Sequence, residues 1–135
     1  MDLDRARAFI REHHHAVLST FRADGRPQMS PVAAGIDAAG RPLISTREPA
    51  YKVRNIRRDP RVSLCVMAEG SMDWIQVDGM ATIIPRPEAM ELLVEYYRSV
   101  AGEHPDWDDY RRAMEEQRRV ILRIDIERAG PDRSG

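Results

Sequence analysis

Between Pro42 and Val62 the sequence alternates strand and helix signals so closely that little freedom is left to the fold. Pro42-Leu43-Ile44-Ser45-Thr46 is an apolar run of strand length. Glu48-Pro49 then opens a helix, because the fixed φ of proline suits a first turn. Val53 and Ile56 follow at helical spacing. Asp59-Pro60 ends the helix, since the residue before proline avoids the helical region. Lys52 falls in the first turn. It is the only lysine in the chain, and the other twenty basic residues are arginine. A compact ammonium on a flexible stem suits a phosphate oxygen. The amides of a first helical turn are unpaired and sit at the positive end of the dipole, so an anion is favoured there. An exposed basic helix would show the same spacing, and the pattern alone does not separate the two.

Around this unit the chain reads mostly as strands. Residues 3–14 predict a helix with Leu3, Ala6 and Ile10 on one face and Asp2 as its cap. Ala16–Phe21 predicts a strand, and Ala23-Asp24-Gly25-Arg26 a hairpin turn. The returning strand is predicted from Pro27 to Ile36. Pro31 lies within it, which points to an edge or a bulge. Ala33-Ala34-Gly35 is unusually small, which allows either a flat ligand or a helix to approach closely. Asp37-Ala38-Ala39-Gly40 predicts a second turn. Strands are expected at Arg61–Met67 and Trp74–Ile84, with Asp78-Gly79 marking a bulge. Met90, Leu93, Val94 and Tyr97 predict a helix over 87–101, closed by Gly102. Asp106 caps a short helix carrying Trp107, Tyr110 and Met114. Val120, Leu122, Ile124 and Ile126 alternate on a last strand, Arg118–Ile126. The expected architecture is α+β, a six-stranded antiparallel split barrel with peripheral helices. It forms one domain over 1–128, followed by a flexible tail at 129–135.

Length supports one core and not two: 135 residues. The net charge of −1, with arginines interleaved among acids, offers no basic block for nucleic acid and no anionic-membrane signal. No signal region or membrane-spanning stretch is present, so a cytoplasmic location is expected. Cys65 is the single cysteine. It lies in an apolar run and reads as a buried, inert thiol. His13-His14-His15 point in different directions on either a helix or a strand and cannot chelate one metal as a set. Dinucleotide, Walker and nucleophile-elbow patterns are absent. Asp108-Asp109 and Glu115-Glu116 sit on solvated helical faces and do not form a catalytic carboxylate pair. The residues alone point to an anion pocket at Ser45, Thr46 and Lys52, beside a strand of small side chains.

These residues resemble the split-barrel flavin and deazaflavin oxidoreductases, the superfamily of pyridoxamine 5′-phosphate oxidase. The landmarks are Val17-Leu18-Ser19-Thr20 with Asp24-Gly25-Arg26-Pro27-Gln28, then Lys52 to Val62, then Gly79-Met80-Ala81. The segment from Tyr96-Tyr97-Arg98 through Gly102 to Arg111 resembles the branch that uses the deazaflavin coenzyme F420. The resemblance implies a homodimer with cofactor sites at the interface and hydride transfer to a small-molecule substrate. The acceptor class would be a quinone, enone, nitroaromatic or tetrapyrrole. Lys52, Ser45 and Thr46 match the phosphate grip, with Arg54 and Asn55 one turn on. Gln28, Met29, Ser30, Pro31 and Val32 match the strand along the ring, and Trp74 falls near the dimer-facing strand. Ala50 departs from the family's usual serine or arginine. Ala33-Ala34-Gly35 departs from larger residues and implies a roomier substrate side. FMN is the alternative cofactor, and a cofactor- or haem-binding module the non-enzyme alternative. No side chain is marked as a general acid; His13, His14, His15, His104 and Tyr51 are available to be tested.

Overall fold

The computed structural model describes residues 1–132. Eleven elements follow one another: α1 (Leu3–Glu12), β1 (His15–Phe21), β2 (Pro27–Ala33), β3 (Gly35–Ile36), β4 (Pro42–Arg47), α2 (Tyr51–Arg58), β5 (Arg61–Met67), β6 (Trp74–Ile84), α3 (Ala89–Ala101), α4 (Trp107–Glu116) and β7 (Arg119–Gly130). All strand pairs are antiparallel, in the order β2-β1-β5-β6-β7-β4-β3. The first and last strands of that order, β2 and β3, are separated in sequence by Ala34 alone. The sheet must therefore curl until its two ends meet, which makes it a barrel split along the seam between β2 and β4.

That crossing also explains the strand count. The expected single strand Pro27–Ile36 changes partners at Ala34, pairing with β1 before it and with β4 after it. Seven strands result where six were expected. The β1–β2 turn forms as its Asp-Gly signal predicts. Gly25 takes φ +87° and its N–H donates to the carbonyl of Arg22 at 2.9 Å. The last strand runs four residues past Ile126. Ala129 and Gly130, expected in the tail, pair with Val77 and Gln76, and Ala129 is buried. Burial of Ala129 in the core outweighs the Gly-Pro composition that suggested a tail. Residues 133–135 of the expected tail lie outside the described residues.

Alternation along the strands separates two cores. Inward side chains such as Leu18, Ile44, Leu64, Val66, Leu122 and Ile124 fill the barrel. α1 adds Ala6 and Ile10, and α2 adds Val53 and Ile56. Each such large side chain, fully buried, contributes about 1.5–3 kcal/mol. Outside the barrel, Leu43, Ile84 and Ile121 pack under α3 and α4 with Leu93, Val94 and Tyr110. Apart from the Ile84 end of β6, the outward face of β2-β1-β5-β6 receives no helix among the described residues, since α1 and α2 pack into the barrel and α3 and α4 chiefly against β4 and β7. The bulge expected at Asp78-Gly79 is present as a register shift, which leaves Glu127 of β7 as the extra residue.

Candidate functional site

α2 begins at Tyr51, later than the expected opening at Glu48-Pro49, so Pro49 precedes the N-cap instead of standing in the first turn, while Lys52 keeps its first-turn place. Ala50 is its N-cap, without a side-chain hydrogen bond, and its first turn carries no acid. Ala50 cannot cap with its side chain; Val53 N–H donates to the Ala50 carbonyl at 3.1 Å, and the amides of Tyr51 and Lys52 stay free for a ligand. Lys52 is the second helical residue and half-buried. It makes no hydrogen bond or ion pair to the protein among the described residues. Burial, and then the guanidinium of Arg119, hold its amine below the ordinary value of 10.5. An ammonium so placed, without a carboxylate, is compensated best by an anion from outside.

Ser45 and Thr46 do not act together. Ser45 shares the outward face of Leu43, whereas Thr46 shares the inward face of Ile44 and is 5% exposed. Opposite faces follow from the two-residue period of a strand. Beyond them on the outward face is Arg47, exposed and directly across the ladder from Arg119. Arg119 Nε donates to Gln117 Oε1 at 2.9 Å. Sequence reasoning places Arg47 near the pocket but missed Arg119. Only the β4–β7 register brings Arg119 here, and nothing in a chain with twenty arginines signals it.

Asn55 is 6% exposed and committed to the fold. Its Nδ2 donates to Thr20 Oγ1 at 3.0 Å and to Gln28 Oε1 at 2.8 Å. Its Oδ1 accepts from Arg58 Nη2 at 3.0 Å. No amide hydrogen remains for a phosphate. What Asn55 does is fasten α2 to β1 and β2, with Lys52 one turn earlier on the same side of the helix. Arg54 is exposed, its guanidinium 5.5 Å from the ring centre of Tyr51.

β2 pairs on one side only, with β1. Along Gln28–Val32 the backbone groups of its other side are free to meet a planar ligand, apart from Pro31, which has no N–H. The side chains divide by face. Gln28, Ser30 and Val32 stand opposite the inward Thr20, Leu18 and Ala16, while Met29 and Pro31 stand opposite the outward Ser19 and Val17. Trp74 lies elsewhere, three strands away in a row with Met67, His15 and Ala33. It does not reach the Lys52 region within one chain.

The small segment 33–35 is filled by a helix. A Cβ at Gly35 would stand 3.1 Å from the ring of Tyr96 and 3.3 Å from Ser99 Oγ. Tyr96 Oη donates to Ala33 O at 3.0 Å, and Ile36 N–H donates to Ser99 Oγ at 3.0 Å. The roomier substrate side expected at Ala33-Ala34-Gly35 is therefore occupied by α3. The segment 102–111 folds into an aromatic corner. Tyr97, His104, Trp107 and Tyr110 meet with ring centres 4.9–5.7 Å apart. Tyr110 Oη donates to Leu93 O at 2.6 Å, and burial pushes its phenol up to about 12.

The three histidines part company. His13 stacks on Phe9, His14 Nδ1 meets Ala34 O at 2.8 Å, and His15 Nε2 meets Glu69 Oε1 at 2.7 Å. Burial pushes the Cys65 thiol up, which suppresses its thiolate. Among the described residues no three His, Cys, Asp or Glu side chains could hold a metal ion. No helix there is long and apolar enough to cross a membrane.

Comparison with solved structures returns the same fold. A conserved hypothetical protein from Mycobacterium tuberculosis superposes with a TM-score of 0.78 at 25% identity, covering 96% of this chain and 82% of that one. An F420 reductase superposes at 0.71 and 19% identity, covering 91% and 94%. A heme-binding protein from Mycobacterium smegmatis superposes at 0.71 and 20% identity, covering 94% of this chain but 52% of that one. At these identities the last two are likenesses of fold. The family described as pyridoxamine 5′-phosphate oxidase matches residues 3–131, nearly the whole α+β split barrel described above, and the chain belongs to that family.

Proposed function

We propose that this protein is an oxidoreductase that binds reduced coenzyme F420 and passes a hydride to a small organic acceptor. The observation that carries the reading is Lys52, a half-buried ammonium without a protein partner in the first turn of α2. It faces the same side as the α2–β2 tie and the free edge of β2. Those features fit a flat cofactor with a phosphate on its stem. Lys52, Arg47 and the amides of Tyr51 and Lys52 would hold the phosphate, Ser45 would flank it, and the β2 backbone would align the ring. When bound, the deazaflavin supplies the hydride; the protein orients it and excludes water. Asn55 serves by setting the angle of α2, not by touching the phosphate. Arg54, Arg57 and Arg58 are exposed along α2. An anionic tail lying there would gain about 0–1 kcal/mol per contact, screened by salt.

The site would be completed by a second copy of the chain. The uncovered sheet face carries Met29 at 67% exposure, Met67 at 36% and Trp74 at 37%, around the outward Val17, Pro31 and Cys65. A face of this composition suits its own twin. Trp74 would then close the partner's pocket.

Titration of ligand-stripped protein with F420 and with FMN, at low and high salt, tests the reading. Tighter F420 binding, weakening more steeply with salt, is expected. If FMN binds more tightly at both salts, the FMN-dependent reading takes its place; the family match favours it as the second choice. Tight binding without turnover of any acceptor would leave a cofactor-carrying module.

A further inference from the structure

Away from Lys52, the far end of α2 carries a second concentration of positive charge. A cleft of about 350 Å³ opens there, beside the β1–β2 turn. The turn contributes Phe21, Arg22 and Ala23 to its lining, and the end of α2 and start of β5 contribute Arg58, Asp59 and Arg61. Neither Lys52 nor any residue of β2 lines it. Three guanidiniums meet in this cleft, and two are fixed by the fold. Arg58 Nη2 donates to Phe21 O at 2.8 Å and to Asn55 Oδ1 at 3.0 Å, both neutral acceptors. Arg61 stands over the Phe21 ring, 4.9 Å from its centre, and donates from Nε and Nη2 to Asp59 at 3.0 and 2.7 Å. Arg22 is exposed, and its side chain makes no hydrogen bond or ion pair among the described residues. Donors therefore remain on all three: Nε and Nη1 of Arg58, Nη1 of Arg61 and the whole guanidinium of Arg22. Asp59 is the one acid in the lining, so three positive charges meet a single negative one. The chain as a whole carries −1, so this surplus is local.

We propose that this cleft is a binding site for a small phosphate monoester, separate from the Lys52 site and independent of the proposed function. Donors from three different side chains suit a group with three terminal oxygens, whereas a planar carboxylate offers two. The cleft is larger than a phosphoryl group needs. Phe21 and Ala23 give the remaining space an apolar wall, which suits an organic substituent on the phosphate. Arg58 and Arg61 are held before a ligand arrives, so binding costs them little further freedom. Arg22, free in the empty site, closes on the anion.

The test uses the full chain, stripped of ligand and carrying Lys52→Met, so that the other anion site plays no part. Phenyl phosphate and benzoate are the probes, followed by backbone amide resonances and binding isotherms. Phenyl phosphate should bind saturably and shift the amides of Arg22, Ala23 and Arg61, and benzoate at equal ionic strength should not. Arg22→Gln, added to that chain, should weaken phenyl phosphate about ten- to a hundredfold. Arg22 is exposed and unpaired, so this change leaves the fold intact. Arg61→Gln should weaken binding at least as much, because it also leaves Asp59 facing the anion without its partner. Arg112→Gln, on α4 beside Asp109, should leave the affinity unchanged. The proposal is overturned if phenyl phosphate does not saturate, if Arg22→Gln leaves its affinity unchanged, or if benzoate binds equally well. Amide shifts confined to the start of α2 would overturn it too.

Discussion

Asn55 Nδ2 donates to Thr20 Oγ1 at 3.0 Å, and both side chains are buried, at 6% and 1% exposure. The bond joins the helix that carries Lys52 to the strand beneath it. With the second Nδ2 bond, to Gln28, it fixes α2 against the β1–β2 hairpin. Asn55→Ala should therefore destabilise the fold by about 2–3 kcal/mol, because the Thr20 hydroxyl loses a partner inside the protein. Urea denaturation measures it. Thr20→Val in the same background should recover part of the loss, since it removes the orphaned hydroxyl. Losses of the two single variants that simply add in the double variant would mean that the pair is not coupled.

Lys52 gives a prediction with a definite sign. Its amine titrates below 10.5 in the folded chain, through burial first and Arg119 second. The unfolded chain therefore binds that proton more tightly. Stability rises with pH from the depressed value up to 10.5, and the penalty is fully present below that window. Lys52→Met should remove this slope and make the protein more stable at neutral pH. It should also weaken cofactor binding about ten- to a hundredfold. Denaturation across alkaline pH, alongside a binding titration, checks both halves.

The contrast between Asn55 and Lys52 shows what the sequence could and could not carry. The strand, the helix and their limits were legible because Pro42, Pro49 and Pro60 punctuate them and Val53 and Ile56 keep the period. The helix-borne lysine was legible for the same reason. Asn55 was not, because its spacing matches both a phosphate contact and a buried tie. Only the position of Thr20 and Gln28 across the fold decides. Ser45 and Thr46 were grouped because they are neighbours, yet a strand sends neighbours to opposite faces. Ala33-Ala34-Gly35 signalled a close approach, and whether a ligand or Tyr96 makes it depends on where α3 docks. Arg119 became visible only through the β4–β7 register.

Gly79 should tolerate no side chain. A Cβ there would run into the carbonyl oxygen of Asp125 on β7. That obstacle is backbone held in a ladder, so it cannot swing aside as a flexible side chain would. A register shift in the β6–β7 ladder falls beside it. Gly79→Ala should cost about 1–3 kcal/mol or more, as overpacking does. Thermal denaturation reads it directly. Gly70→Ala gives a contrast, because nothing crowds that position and only its φ of +74° is strained. A smaller loss at Gly79 than at Gly70 would contradict the packing argument.

The outward face of β2-β1-β5-β6 makes the last prediction. Val17 lies at its centre, in register with Pro31 on one side and Cys65 on the other. Gln76 continues the row, and Met67 and Trp74 fill the row beside it. No helix covers these side chains, and in a single chain Val17 borders solvent. A charge at that position should therefore leave the isolated fold nearly unchanged. Across a two-fold interface the same charge would appear twice and be buried without a partner. Breaking compensation in that way costs about 3–5 kcal/mol, or about a hundred- to a few-thousandfold in dimer dissociation. Sedimentation equilibrium should find the native chain dimeric at micromolar concentration and Val17→Arg monomeric, with unchanged circular dichroism. A Val17→Arg protein that stays dimeric would place the association on another face, and Trp74 would then have no route to the partner's Lys52. A native chain that is monomeric under the same conditions would leave each Lys52 site to function without a second copy.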